Sequence, residues 1–168
     1  PESLGVIDAD LFATAVSQVT AAAGKDDSLP SLTGVHIEIN GENITMAATD
    51  RYRLAVRELT FNPTKPNQEN TALIRARTLF EVGKTLQTTK NVAIALTPSN
   101  LNDRLVGFQT DSKSTTSRLL DGTFPPYRHL LPQEAATTVI IEVAPFVEAV
   151  RRVALVTDKT IPLKLTFD

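Results

Sequence analysis

The sequence predicts an α+β fold, in which two helices pack on one side of antiparallel sheet and a partial second copy of the arrangement follows. Three observations lead there. Segments of helical spacing and of strand-like alternation come in the order helix, three strands, short strand, helix, three strands. Turn-forming residues join successive strand-like runs, as hairpins require. Finally, Phe12-x-x-Ala15-Val16-x-x-Val19 returns as Phe146-x-x-Ala149-Val150-x-x-Val153, and a repeated supersecondary unit is a statement about architecture.

The elements follow in order. Gly5-Val6-Ile7 reads as a strand-like lead-in. Asp10 is then placed to cap a helix over 10–23, whose apolar stripe is Leu11, Phe12, Ala15, Val16, Val19 and Ala22-Ala23, with Gly24 as the stop. Its other face, Thr14, Ser17, Gln18 and Ala21, is small and uncharged, which is unusual for a helix facing solvent. After a loop over 25–31, Val35, Ile37 and Ile39 alternate with His36 and Glu38, so that His36 takes a surface register. Asn40-Gly41-Glu42-Asn43 turns the chain into Ile44-Thr45-Met46-Ala47-Ala48. A Pro-containing polar connection over 62–70 and a short strand, Ala72-Leu73-Ile74, lead to a second helix over 77–88. Strands over 92–96, 105–109 and 114–120 complete the module, with turns at Thr97-Pro98-Ser99-Asn100 and Asp111-Ser112-Lys113. The second copy has a strand-like lead-in at 139–143, a helix over 145–156 and another strand-like run at 163–167.

Composition narrows the functional classes. With 168 residues and 42% hydrophobic content, the chain has enough apolar surface for a core. It contains no Cys, so it offers neither a disulfide framework nor a thiolate metal site, and a reducing, cytoplasmic setting is expected. No apolar run approaches the roughly 20 residues that span a bilayer. A net charge of −2 argues against tight nucleic-acid binding by the surface as a whole, but not against loose encirclement.

The chemistry concentrates in Thr49-Asp50-Arg51-Tyr52-Arg53-Leu54, a charged corner between two strand-like runs. Thr49 and Asp50 are residue types that fold back onto local backbone N–H groups. Arg51 and Arg53 flank Tyr52, and Leu54 can wall a groove beside them. The residues alone leave three readings open. One is a plain β corner in a structural module, with Asp50 paired to an arginine. A second is a small-molecule or nucleotide enzyme using the Asp50/Arg53 corner. Against it, a neighbouring arginine keeps a carboxylate a weak base. His36 and His129 also lack nearby metal-ligand partners, and no nucleophile elbow or phosphate-cradling glycine motif occurs. The third is a binding groove.

The corner, followed by Leu119-Leu120-Asp121-Gly122-Thr123-Phe124-Pro125-Pro126-Tyr127-Arg128-His129-Leu130-Leu131-Pro132, resembles the bacterial DNA polymerase III beta subunit, the replicative sliding clamp. Both signatures stand in that family's order and separation. The resemblance implies that residues 1–132 are the middle of three similar modules and residues 133–168 the start of the last. The chain would then be a fragment of a longer protein, whose full-length homodimer closes a six-module ring. It implies a non-catalytic accessory subunit without cofactor or metal. Leu32, Thr49, Arg51, Tyr52, Arg53, Leu54 and Pro132 would line the middle module's share of a cleft. That cleft takes short peptide motifs from the polymerase alpha subunit, the clamp loader and repair polymerases. The family completes it with residues near the end of the last module, so affinity should be low or lost in this chain. Lys25, Arg75, Arg77, Lys84, Arg151 and Arg152, on or beside the three helices, would face encircled double-stranded DNA without base readout.

Overall fold

Asp8 both closes a strand and opens a helix in the computed structural model, which describes residues 1–86, 89–98, 103–132, 134–158 and 161–167. Strand β1 (Glu2–Asp8) runs straight into helix α1 (Ala9–Thr20), and the Asp8 carboxylate accepts the Leu11 N–H at 3.0 Å. Such a cap is worth about 1 kcal/mol. Asp10, expected to be the cap, instead lies in the first turn, where its charge favours the positive helix end. The cause is the sheet. Asp8 is the last residue of β1 paired with β7 (Asn91–Leu96), and the Ala9 N–H bonds the Lys90 carbonyl at 3.0 Å, so the chain leaves the ladder earlier.

Helix α1 buries Ala9, Phe12, Ala15, Val16 and Val19. Leu11, assigned to that stripe from sequence, is 54% exposed, because it shares its row with Thr14 and Gln18 on the uncharged outer face. Gly24 is not the helix stop either. The helix ends at Thr20, and the Gly24 N–H bonds the Leu32 carbonyl at 2.8 Å, where a Cβ would lie 3.2 Å from that oxygen. Close backbone approach, not a left-handed cap, uses this glycine.

The remaining strands of the first unit, Pro1–Pro125, are β2 (Gly34–Asn40), β3 (Asn43–Thr49), β4 (Leu54–Thr60), β5 (Asn62–Pro63), β6 (Glu69–Arg75), β8 (Leu105–Gln109) and β9 (Ser114–Arg118). They form two antiparallel sheets, ordered β5-β1-β7-β8-β9 and β4-β3-β2-β6. The expected hairpin is β2–β3, with Gly41 at φ +55 in its turn. Helix α2 (Ala76–Lys84) is shorter than expected, and Gln87 and Thr88 lie outside the described residues, as do Ser99 and Asn100 of one expected turn. Helices α1 and α2 pack on each other and against both sheets. At Gly83 an added Cβ would stand 3.2 Å from Val16 Cγ1, so the helices approach closely there. One apolar core joins both sheets and both helices, with Phe12, Val16, Ile44, Met46, Leu79 and Ile94 fully buried.

His36 differs from its expected surface role. Its ring stacks on Phe124 with centroids 5.1 Å apart and planes 5° from parallel, and Nε2 stands 3.1 Å from Glu38 Oε1. The polar register of β2 is thus covered by the segment that follows β9, which no local periodicity reveals.

The second unit, Pro126–Asp168, holds a short 3-10 turn (Arg128–Leu130) and helix α3 (Val143–Ala154). The repeat's helix is therefore present. The strand-like runs at 139–143 and 163–167 are not strands, for a strand needs a ladder partner and neither run finds one among the described residues. Proline at position 145 falls in the first turn of α3, where its missing N–H costs nothing. Every residue of α3 is exposed or half-buried. Among the described residues no helix is long and apolar enough to cross a membrane.

Candidate docking corner

Thr49 and Leu54 form the last rung between β3 and β4, so residues 50–53 must reverse the chain. The Thr49 hydroxyl accepts the Arg51 N–H at 3.1 Å and donates to the Arg53 carbonyl at 2.7 Å. Asp50 Oδ1 accepts the Tyr52 and Arg53 N–H groups at 3.1 and 3.0 Å, and Oδ2 accepts Arg53 Nε–H at 3.0 Å. These are the fold-back contacts that the residue types at 49 and 50 foretell, together with the arginine pairing. The sequence gives no sign of the backbone at Arg51, whose φ is +79. A left-handed non-glycine residue costs on the order of 1–2 kcal/mol and persists only where its surroundings impose it.

The lock decides what faces outward. Tyr52 is 92% exposed, and Arg51 and Arg53 are exposed on either side of it. Leu54, first residue of β4, is half-buried beside them. Leu32 sits in a short 3-10 turn (Pro30–Thr33) and is only 7% exposed, so it is chiefly a core residue. Pro132 belongs to the second unit, where it is exposed.

Electrostatics at the corner follow from these bonds. Partial burial alone raises the Asp50 pKa, but the N–H bonds from Arg53 and Tyr52 and the Arg53 guanidinium more than offset it, so the net shift is downward. The corresponding stability is present above the ordinary aspartate value of about 3.9 and is lost as pH falls through the lower folded value. An NMR titration of the Asp50 carboxyl is therefore expected to give a midpoint below about 3.9. A midpoint above it would contradict the lock. Asp26 is also lowered, first by hydrogen bonds from Ser28 and further by the charge of Arg51, which places that guanidinium within electrostatic reach of the loop after α1.

The cations read as DNA-facing divide into groups. Lys25, Arg75 and Arg77 line one groove of about 710 Å³ between α1 and the start of α2, with Phe80 and the small residues Ser17 and Thr20. Asp27, which sequence reasoning missed, lies in the same groove and pairs with Arg75 at 3.1 Å. The two stand 48 positions apart, so no local pattern signals the pair. Lys84 pairs with Glu81 at 3.0 Å, lies 4.5 Å from the Phe80 ring centroid and lines an adjoining groove with Thr14 and Gln18. Arg151 and Arg152 are exposed on α3 in the other unit, Arg151 paired with Glu148 at 3.2 Å. Among the described residues no three His, Cys, Asp or Glu side chains converge as metal ligands.

Paired antiparallel sheets carrying two packed helices are the arrangement found in a known DNA sliding clamp. The DNA polymerase sliding clamp of Bacillus subtilis superposes with a TM-score of 0.82 at 27% identity, covering 95% of this chain and 41% of that one. The beta sliding clamp of Streptomyces coelicolor is 47% identical over 168 residues, 100% of this chain and 45% of that protein. That of Micrococcus luteus is 44% identical over 167 residues, 99% of this chain and 53% of that protein. The profile of the DNA polymerase III beta subunit central domain matches residues 6–126, and the chain belongs to the DNA polymerase III beta subunit family. It spans about half the length of the curated relatives it matches.

Proposed function

We propose that this chain serves as part of a replicative sliding clamp, the processivity factor of a bacterial DNA polymerase. Residues 1–132 would act as the middle module and 133–168 as the start of the last. The single observation behind this is the central-domain match over residues 6–126. In the cytoplasm the full-length homodimer would close around double-stranded DNA. Lys25, Arg75, Arg77, Lys84, Arg151 and Arg152 would meet phosphates through water. Such contacts must be weak for a ring to slide, and the grooved helix face supports this, since two of its cations are already paired with Asp27 and Glu81.

The corner would be the middle module's share of a docking cleft for the polymerase alpha subunit, the clamp loader and repair polymerases. An exposed Tyr52 beside a half-buried Leu54, framed by two arginines, supports that use. The apolar pair would bury a leucine- or phenylalanine-like anchor while the arginines set the peptide's direction. Leu32 would add only its small exposed edge to the lining. Catalysis at the corner is the weaker reading, since Asp50 is held ionised by three donors and makes a poor base near neutral pH.

The test is fluorescence anisotropy with a labelled peptide of the glutamine-leucine-x-leucine-phenylalanine type. Weak saturable binding is expected, reduced about tenfold or more in Leu54→Ser by loss of the buried anchor contact. Duplex DNA added to the same chain should bind barely detectably and less as salt rises. Peptide binding left unchanged by Leu54→Ser, or sub-micromolar sequence-specific DNA binding, would overturn the proposal.

A further inference from the structure

We propose that Asp50 is the positioning residue of the docking corner: without touching the peptide, it fixes the backbone that presents Tyr52 and aims Arg53. The inference rests on the docking reading of the corner and assigns a role to a residue that reading leaves out.

The geometry supports it step by step. Asp50 engages Tyr52 and Arg53 through their amides with one oxygen and the Arg53 side chain with the other, at 3.0–3.1 Å. The carboxylate side chain is 23% exposed while that of Arg53 is 60% exposed, so the anchor lies under the surface and the groups it holds lie on it. The Thr49 hydroxyl ties the Arg51 amide to the Arg53 carbonyl across the same loop. Together these contacts compel Arg51 into its left-handed conformation, φ +79. A four-residue loop with exposed side chains would otherwise sample many conformations, and ordering it would oppose binding. Asp50 removes that cost before the peptide arrives.

The two functions of the carboxylate separate by substitution. Asp50→Ala removes every bond. Asp50→Asn keeps an oxygen able to accept the Tyr52 and Arg53 amides but loses the charge that holds Arg53 Nε. The test measures, in the 168-residue chain, labelled-peptide affinity, thermal midpoint, and hydrogen exchange at the Tyr52 and Arg53 amides. Asp50→Ala is expected to weaken peptide binding roughly tenfold. It should also lose protection at both amides, with the thermal midpoint within about 3 °C of the parent because the corner lies outside the core. Asp50→Asn is expected to recover amide protection and most of the affinity. Unchanged affinity or protection in Asp50→Ala would overturn the inference, as would a collapsed thermal midpoint in both variants. If peptide binds the parent but Leu54→Ser leaves its affinity unchanged, the docking reading fails. Exchange at Tyr52 and Arg53 still decides whether Asp50 holds the corner.

Discussion

Phe12→Ala is expected to remove about 4 kcal/mol of stability, while the same change at Phe146, its counterpart in the sequence repeat, removes less than about 1 kcal/mol. The Phe12 side chain is fully buried, its ring centroid 5.8 Å from that of Phe108 across the interface between α1 and β8. Truncation there loses the transfer energy of the ring and leaves a cavity bounded by helix and sheet, neither of which collapses easily. A domain has only about 5–15 kcal/mol to lose, so much of the variant should unfold near body temperature. Phe146 occupies the same motif position on α3 but is only half-buried. Denaturation followed by circular dichroism checks the pair. Equal losses would mean that burial does not distinguish the two copies of the motif.

Gly5→Ala is expected to cost about 2–3 kcal/mol, although it adds a single methyl group. Strand β1 lies between β5 and β7, and its register with β7 shifts between Ser3 and Gly5. A methyl at Gly5 would fall on the Asn62 carbonyl oxygen, 2.5 Å from Phe61 Cε2 and 2.9 Å from Pro63 Cα. Two of those neighbours are backbone, so they cannot rotate aside. Strand β5 must detach, exposing Phe61, which is 3% exposed in the folded chain. Faster exchange of the Thr64 amide, which bonds the Leu4 carbonyl at 2.8 Å, would report that detachment. Gly41→Asn is the contrast: φ is +55, nothing lies within 4 Å, and asparagine tolerates that conformation, so the change should be nearly neutral. A Gly5 variant as stable as the Gly41 variant would contradict the packing described.

These elements also show where the sequence speaks and where it does not. The helix stripe of α1, the β2–β3 hairpin and the Thr49–Asp50 corner are each set by residues within a few positions of one another, and all three were legible. Asp8 displaced Asp10 as the cap because β7, more than 80 positions away, decides where β1 ends. The same distance problem hides the division of the strands into two sheets, the stacking of His36 on Phe124 and the Asp27–Arg75 pair. Strand-like composition at 139–143 and 163–167 failed for a related reason, since alternation specifies a face to bury but not a neighbour to bond. At the corner, the contact-making residues were readable from type and spacing. The left-handed backbone at Arg51 was not, because arginine carries none of the signal that glycine or asparagine would.

Residue-by-residue shift mapping of the isotopically labelled chain, titrated with the peptide, tests docking at the corner most directly. Perturbations centred on Tyr52 and Leu54 and spreading to the Arg51 and Arg53 amides are the expected result. Shifts confined to the groove between α1 and α2, with Tyr52 and Leu54 unmoved at saturation, would contradict it.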